Sequence, residues 1–236
     1  EDSVYYSIDA DDTDVITWDA DGRRYGGDWS DWQKCANIYK EQSAIRSVAF
    51  KEINNSRLSS AWITCREIID GAYGSDFESG DLMFNTGHSA DKKKIQADLD
   101  ELAVGIGFYV GDSCARVNEI WFMENKLEYM FNDYGAYIPP VMGDVMGLED
   151  STCQPHISSG YIKELHCSVG SVLTGFKLRH KDASSVNNGE EITGIKIQCS
   201  KLTESYSLPD AVDAPYDGFV EKEDLAPSST DDSPYG

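Results

Sequence analysis

Apolar and polar residues alternate along this chain in short runs, and the runs come in pairs. Ser47-Val-Ala-Phe50 is followed, after a hydrophilic loop, by Leu58-Ser-Ser-Ala-Trp-Ile-Thr-Cys65. Gly105-Ile-Gly-Phe108 leads to Val117-Asn-Glu-Ile-Trp-Phe-Met-Glu124, and Gly175-Phe-Lys-Leu178 to Ile192-Thr-Gly-Ile-Lys-Ile-Gln-Cys199. A period of two is the mark of a half-buried strand, and two such runs around a polar loop predict a hairpin. The copies begin about 58 and then about 70 residues apart, longer than solenoid repeats and closer to one small sheet each. The pattern predicts a mostly β chain with three related copies at about 17–66, 67–126 and 153–200, together a domain over 17–201.

Three segments depart from that pattern. Between 89 and 102, Ser89 can cap, Asp91 falls in a first turn, and Ile95, Leu99 and Leu102 follow at i, i+4 and i+7. That spacing predicts one added helix. Residues 1–16 crowd Asp9, Asp11, Asp12 and Asp14 together and read as an acidic N-terminal arm. Residues 202–236 are rich in Ser, Pro and acidic side chains, too poor in apolar surface to fold alone, and read as an acidic C-terminal arm.

The chain has 236 residues, 40% of them hydrophobic, which is enough for a core, and no apolar run long enough to span a bilayer as a helix. Forty-two acidic against 20 basic residues give a net charge of −22. That balance argues against nucleic acid, whose affinity comes from Lys and Arg, and against insertion into an anionic membrane. The polar start Glu1-Asp2-Ser3 fits a secreted chain whose leader has been removed.

Six cysteines without a CxxC pair point to disulfides rather than a zinc cluster. Cys65 and Cys199 end the closing strands of the first and third copies, and Cys35 and Cys167 stand before the opening strands. The repeated placement predicts Cys35–Cys65 and Cys167–Cys199, leaving Cys114 with Cys153. Such bridges place the chain outside the cytosol. The sequon at Asn54 is a glycosylation candidate that fits this location.

Catalytic signals are poor. His88 lacks a nucleophile elbow, and His156, His166 and His180 have no metal-ligand spacing. Carboxylates are so abundant that a pair at glycosidase distance means little. The Asp9–Asp14 and Asp19–Gly22 stretches have part of a calcium-loop pattern without its closing Glu, so weak Ca2+ binding is the one cofactor expectation. Trp29 and Trp32 beside Asp28 could form a glycan platform, with aromatic faces for the sugar ring and a carboxylate for its hydroxyls. The competing expectation is that both rings cap the core.

The copies together resemble a known family. Gly26-Gly-Asp-Trp-Ser-Asp-Trp32, a Cys soon after, then Gly-Phe-x-Leu and a closing Gly-Ile-x-Ile-x-Cys are similar to vitelline membrane outer layer protein I. The third copy matches at Gly175, Phe176, Leu178, Gly194, Ile195, Ile197 and Cys199. The first matches at Asp28, Trp29, Trp32 and both cysteines, and the second at Gly111-Asp112, Ala115, Asn118 and Ile120. The middle copy ends in Glu124 where that family has Cys, and the third lacks the Trp pair. The resemblance implies a β-prism, three four-stranded Greek-key sheets about a pseudo-threefold axis, burying Phe50, Phe108 and Phe176 together. An ordinary β-sandwich would show no threefold relation.

The resulting expectation is a secreted, non-enzymatic structural or interaction protein of an extracellular coat or matrix. It would assemble with itself, with other extracellular proteins or with glycans. A soluble glycan-binding lectin is the alternative, and an enzyme acting on amino-sugar polymers a more distant one.

Overall fold

Alternating runs can hide one face only if other runs hide theirs against it, and three hairpins do so here. The computed structural model describes residues 3–19, 27–38, 42–53, 57–69, 72–78, 82–85, 91–98, 100–111, 116–130, 138–148, 161–182 and 190–207. The strands in order are β1 (Ser3–Asp19), β2 (Asp28–Trp29), β3 (Gln33–Lys34), β4 (Ser43–Ile53), β5 (Arg57–Ile69), β6 (Ala72–Glu78), β7 (Phe84–Asn85) and β8 (Asp91–Gln96). They continue with β9 (Glu101–Gly111), β10 (Arg116–Lys126), β11 (Val141–Met142), β12 (Met146–Gly147), β13 (Tyr161–His166), β14 (Ser171–Asp182) and β15 (Glu190–Ser207). Single helical turns, α1 (Cys35–Ile38) and α2 (Leu127–Met130), follow β3 and β10.

The long hairpins β4–β5, β9–β10 and β14–β15 each form the middle of a sheet. In sheet one, β6 and β7 lie beside β5 and β8 returns beside β4. In sheet two, β11 and β12 lie beside β10 and β13 returns beside β9. Both are Greek keys with spatial order 4-1-2-3. Sheet three reaches the same order with strands from the chain's beginning: β1 lies beside β15, and β2 and β3 lie beside β14. Sheets one and three also touch through the single backbone pairing of Glu190 in β15 with Leu58 in β5. The fold is a β-prism of three Greek-key sheets.

Register makes the threefold relation explicit. In each hairpin the first strand carries one extra residue, Arg46, Val104 or Thr174, between equivalent pairs. These bulges bend the strands at the same place. Beyond them Val48, Ile106 and Phe176 occupy one inward position, and Phe50, Phe108 and Leu178 the next. All six are fully buried and belong to one cluster. A smaller cluster with Ala44, Leu102 and Val172 from the strand starts and Ile68 and Leu202 from the strand ends closes that end of the prism.

Four expectations need correction. The segment expected to be helical contains β8, whose residues Asp91–Gln96 pair with β4, and the start of β9. Sheet one needs a fourth strand, and three apolar residues cannot impose a helical period against that demand. Ile95 is buried, Lys92 lies 4.8 Å over the Trp62 ring, and Lys93 pairs with the buried Glu52. Lysines on this edge also discourage pairing with another chain. Ser89 and Leu99 lie outside the described residues.

The N-terminal acidic stretch is the strand β1 rather than an arm. Ile8 and Trp18 are buried, and the Trp18 ring stands 4.8 Å from that of Phe108. Its aspartates gather where the register jumps from Asp9–Lys201 to Thr13–Ser200, a bulge that points them to solvent. Residues 202–207 likewise complete β15, with Leu202 buried; residues 208–236 lie outside the described residues. Finally, the Trp-bearing turn serves sheet three rather than the first copy, and so supplies the Trp pair that the third copy lacks.

Candidate functional site

The outer face of sheet three gathers the residues singled out as a glycan platform. Gly27, with φ of 122°, turns the chain onto β14, where a Cβ would lie 2.5 Å from the His180 carbonyl oxygen. Ser30 fixes the turn: its N–H donates to the Leu178 carbonyl at 2.8 Å, and its hydroxyl accepts from the Leu178 N–H at 3.2 Å. Gln33 ties the turn to sheet one, accepting from the Ile63 N–H at 3.0 Å.

Trp29 lies against Gly194 and Trp32 against Gly175; side chains at either glycine would crowd the rings. Arg179 stands opposite Gly194, so the two tryptophans mark points four residues apart along β14, about 13 Å. Between them the paired positions Lys177 and Lys196 share the same face. Lys196 Nζ is 4.3 Å from the Trp29 ring centroid and Lys34 Nζ 5.5 Å from that of Trp32. Both rings are half-buried, and Asp28 is exposed beside them. The arrangement is two aromatic plates joined by a strip of ammonium groups, on a chain of net charge −22. The rings cover the outside of a sheet rather than an end of the core.

Other candidates fall differently. Asp9 accepts from the Asp11 and Asp12 N–H groups at 3.0 and 3.3 Å, closing its own bulge. Asp14 accepts from the Ser168 hydroxyl at 3.5 Å, and Asp19 receives Arg179 Nη1 on both oxygens at 2.5 and 2.7 Å. Asp21 and Gly22, like Asn54, His88, His156, Cys114 and Cys153, lie outside the described residues. His166 pairs with Glu164 at 3.0 Å, and His180 stacks on Phe84 with centroids 4.7 Å apart.

Cys35–Cys65 and Cys167–Cys199 are disulfides, with Cα separations of 5.6 and 5.5 Å. Each joins the residue leaving one sheet to the closing strand of the next. At the third junction the equivalent positions hold Ala97 and Glu124, and the residues there escaped sequence reasoning. Glu124, 2% exposed, meets Asp98 and Glu101, one oxygen from each lying within 4.8 Å of the others. Burial above all, then the hydrogen bond with Glu101 and the charges of Asp98 and Glu101, pushes the Glu124 carboxyl up to about 7, against the lowering pull of the Asp98 N–H. The usable signal was Glu124 standing in the place of a repeated Cys.

No protein-family model matches the chain, and no curated protein matches its sequence. Among solved structures, a Malaysian banana lectin variant is 13% identical with a TM-score of 0.40, covering 79% of this chain and 96% of its own. Single-chain recombinant jacalin is 15% identical with a TM-score of 0.39, covering 80% and 94%. The V. cholerae biofilm matrix protein Bap1 is 12% identical with a TM-score of 0.39; the match covers 88% of this chain and 29% of that one. Likeness at this level transfers no function to this chain.

Proposed function

We propose that this is a secreted, non-enzymatic protein of an extracellular coat or matrix that acts by contact, and that glycans are the contact class its third sheet is built for. The observation that carries the reading is the outer face with Trp29 and Trp32 about 13 Å apart, Lys177 and Lys196 between them and Lys34 beside Trp32. That span suits two or three sugar units rather than one. An exposed cation–π contact is worth only about 0.5–1 kcal/mol, so a pyranose ring can replace the ammonium over Trp29. The displaced lysine then meets a carboxylate or sulfate on the glycan, which favours acidic polymers.

The disulfides favour an oxidising compartment, and no helix among the described residues is long and apolar enough to cross a membrane. The sequence resemblance to vitelline membrane outer layer protein I supports the same role, and self-association or other extracellular proteins are further partners. Binding to an array of neutral and acidic glycans tests the reading. Acidic glycans should be retained, with affinity falling about tenfold or more in Trp29→Ala and in Lys177→Glu/Lys196→Glu at unchanged melting temperature. Binding that ignores both changes would remove this face from the account.

A further inference from the structure

The three junctions between sheets are built on one plan. The residue after β8 and the residue after β13 each donate a backbone hydrogen bond to the bulge of the sheet they leave: Ala97 N–H to Arg46 O and Cys167 N–H to Val104 O, both 2.8 Å. Cys35 is the residue that follows β3. The closing positions are equivalent too: Cys65 faces Ile45, Cys199 faces Leu173 and Glu124 faces Ala103, each next to the shared bulge. Two junctions are joined by disulfides. At the third, the Asp98 N–H donates to Glu124 Oε2 at 3.2 Å, and Glu101 closes the group from β9.

We propose that Glu124, with Asp98 and Glu101, is a proton-operated staple between sheets one and two, closed when Glu124 is protonated and loosened when it ionises. A protonated Glu124 can donate to the Glu101 carboxylate while still accepting from Asp98. An ionised one places a negative charge on the buried Glu124, beside the half-buried Glu101 and the exposed Asp98. Among the described residues no cation acts on Glu124, and Lys126 acts on Glu101 only weakly, behind Asp100. From the β8–β9 connection comes Asp98, and from β9 comes Glu101. Lys126, two residues along β10, is held by Asp100 at 2.9 Å, which keeps the Asp100 carboxyl below its usual range. From α2, Glu128 and Tyr129 are exposed, and from the β11–β12 loop comes Gly143, with Asp144 exposed next to it.

Gly143 couples the staple to the surface. Glu124 Oε1 occupies the space where a Gly143 side chain would stand, and the Gly143 N–H donates to Phe122 O at 2.9 Å. The same loop exposes Val141, Met142 and Val145, 57%, 60% and 47% accessible. Ionisation of Glu124 therefore loosens the underside of an exposed apolar loop as well as the sheet junction.

The sign follows from linkage. The folded carboxyl keeps its proton up to about 7, while the unfolded one releases it near 4.5. Stability from this group is fully present below the lower value and is lost as pH rises through the upper one. Thermal melts of wild type and Glu124→Gln between pH 5 and 8, with EDTA, test it. The unfolding constant of wild type should rise on the order of tenfold or more relative to the variant across that range. Amide exchange at Asp98 and Gly143 should quicken toward pH 8 in wild type and stay level in the variant. Equal pH slopes for the two proteins overturn the proposal. So does a calcium-dependent rise in the wild-type melting temperature at pH 8 that the variant lacks, which would assign the corner to a cation. Ala97→Cys/Glu124→Cys, which places cysteines at the equivalent positions, should lose both free thiols and the pH dependence; thiols that stay free contradict the shared plan.

Discussion

Phe108→Ala lowers the free energy of unfolding by about 3–5 kcal/mol, read as a fall in the urea midpoint at constant slope. Phe108 is fully buried at the centre of sheet two, in the cluster that also holds Phe50 and Phe176. Its ring meets Trp18, which belongs to β1 of sheet three, so truncation removes packing between two sheets and leaves a cavity with walls on both. Strands that are bulged at one end and hydrogen-bonded along their length cannot collapse into that space, which places the cost at the upper part of the range. Ile162→Ala on β13, where the side chain is 64% exposed, is the control and should shift stability by no more than about 0.5 kcal/mol. Similar losses at the two positions would mean that the sheets do not share a core.

Cys167→Ala/Cys199→Ala is the second large effect. The bridge spans 32 residues, and in the chain-entropy model a loop of that size contributes about 3–4 kcal/mol. Cys167 sits on the crossing from β13 to β14, and Cys199 is buried in β15 opposite Leu173. Removing the bridge therefore frees the unfolded chain and also unpins sheet three from sheet two. The folded variant should keep its β spectrum but unfold at lower denaturant with a changed slope, because the unfolded ensemble expands. An unchanged midpoint would show that core packing already fixes this junction.

The hairpins were legible because alternation is local. Aligning Ser47 with Gly105 and Gly175, and Cys65 with Glu124 and Cys199, reproduces the observed register, bulges included. The two bridges followed from the same alignment. Closure was not legible in this way. Whether Asp9–Asp14 belongs to an arm or a strand depends on β15, almost two hundred residues away, and local composition favours exposure. The bulge satisfies both demands, leaving Ile8 and Trp18 buried on either side of exposed aspartates. β8 was misread because Ile95, Leu99 and Leu102 fit a helical period by spacing alone, whereas Ile95 and Leu102 fill successive strands. On the site, Trp29 and Trp32 were identifiable, but Lys177 and Lys196 became neighbours only through cross-strand pairing. Asp98 and Glu101 were invisible among 42 acidic residues; only Glu124, out of place in a repeat, marked their corner.

The first and last described strands, β1 and β15, lie in one sheet, which closes the prism and carries the proposed contact face. Amide exchange along β1 tests this closure most directly. Val15, Ile16, Thr17 and Trp18 pair with Gln198, Ile197, Lys196 and Ile195, and the two sets should exchange at the same slow rate, released only by global unfolding. Exchange of the β1 amides at the rate of an open tail, with β15 still protected, would contradict the account.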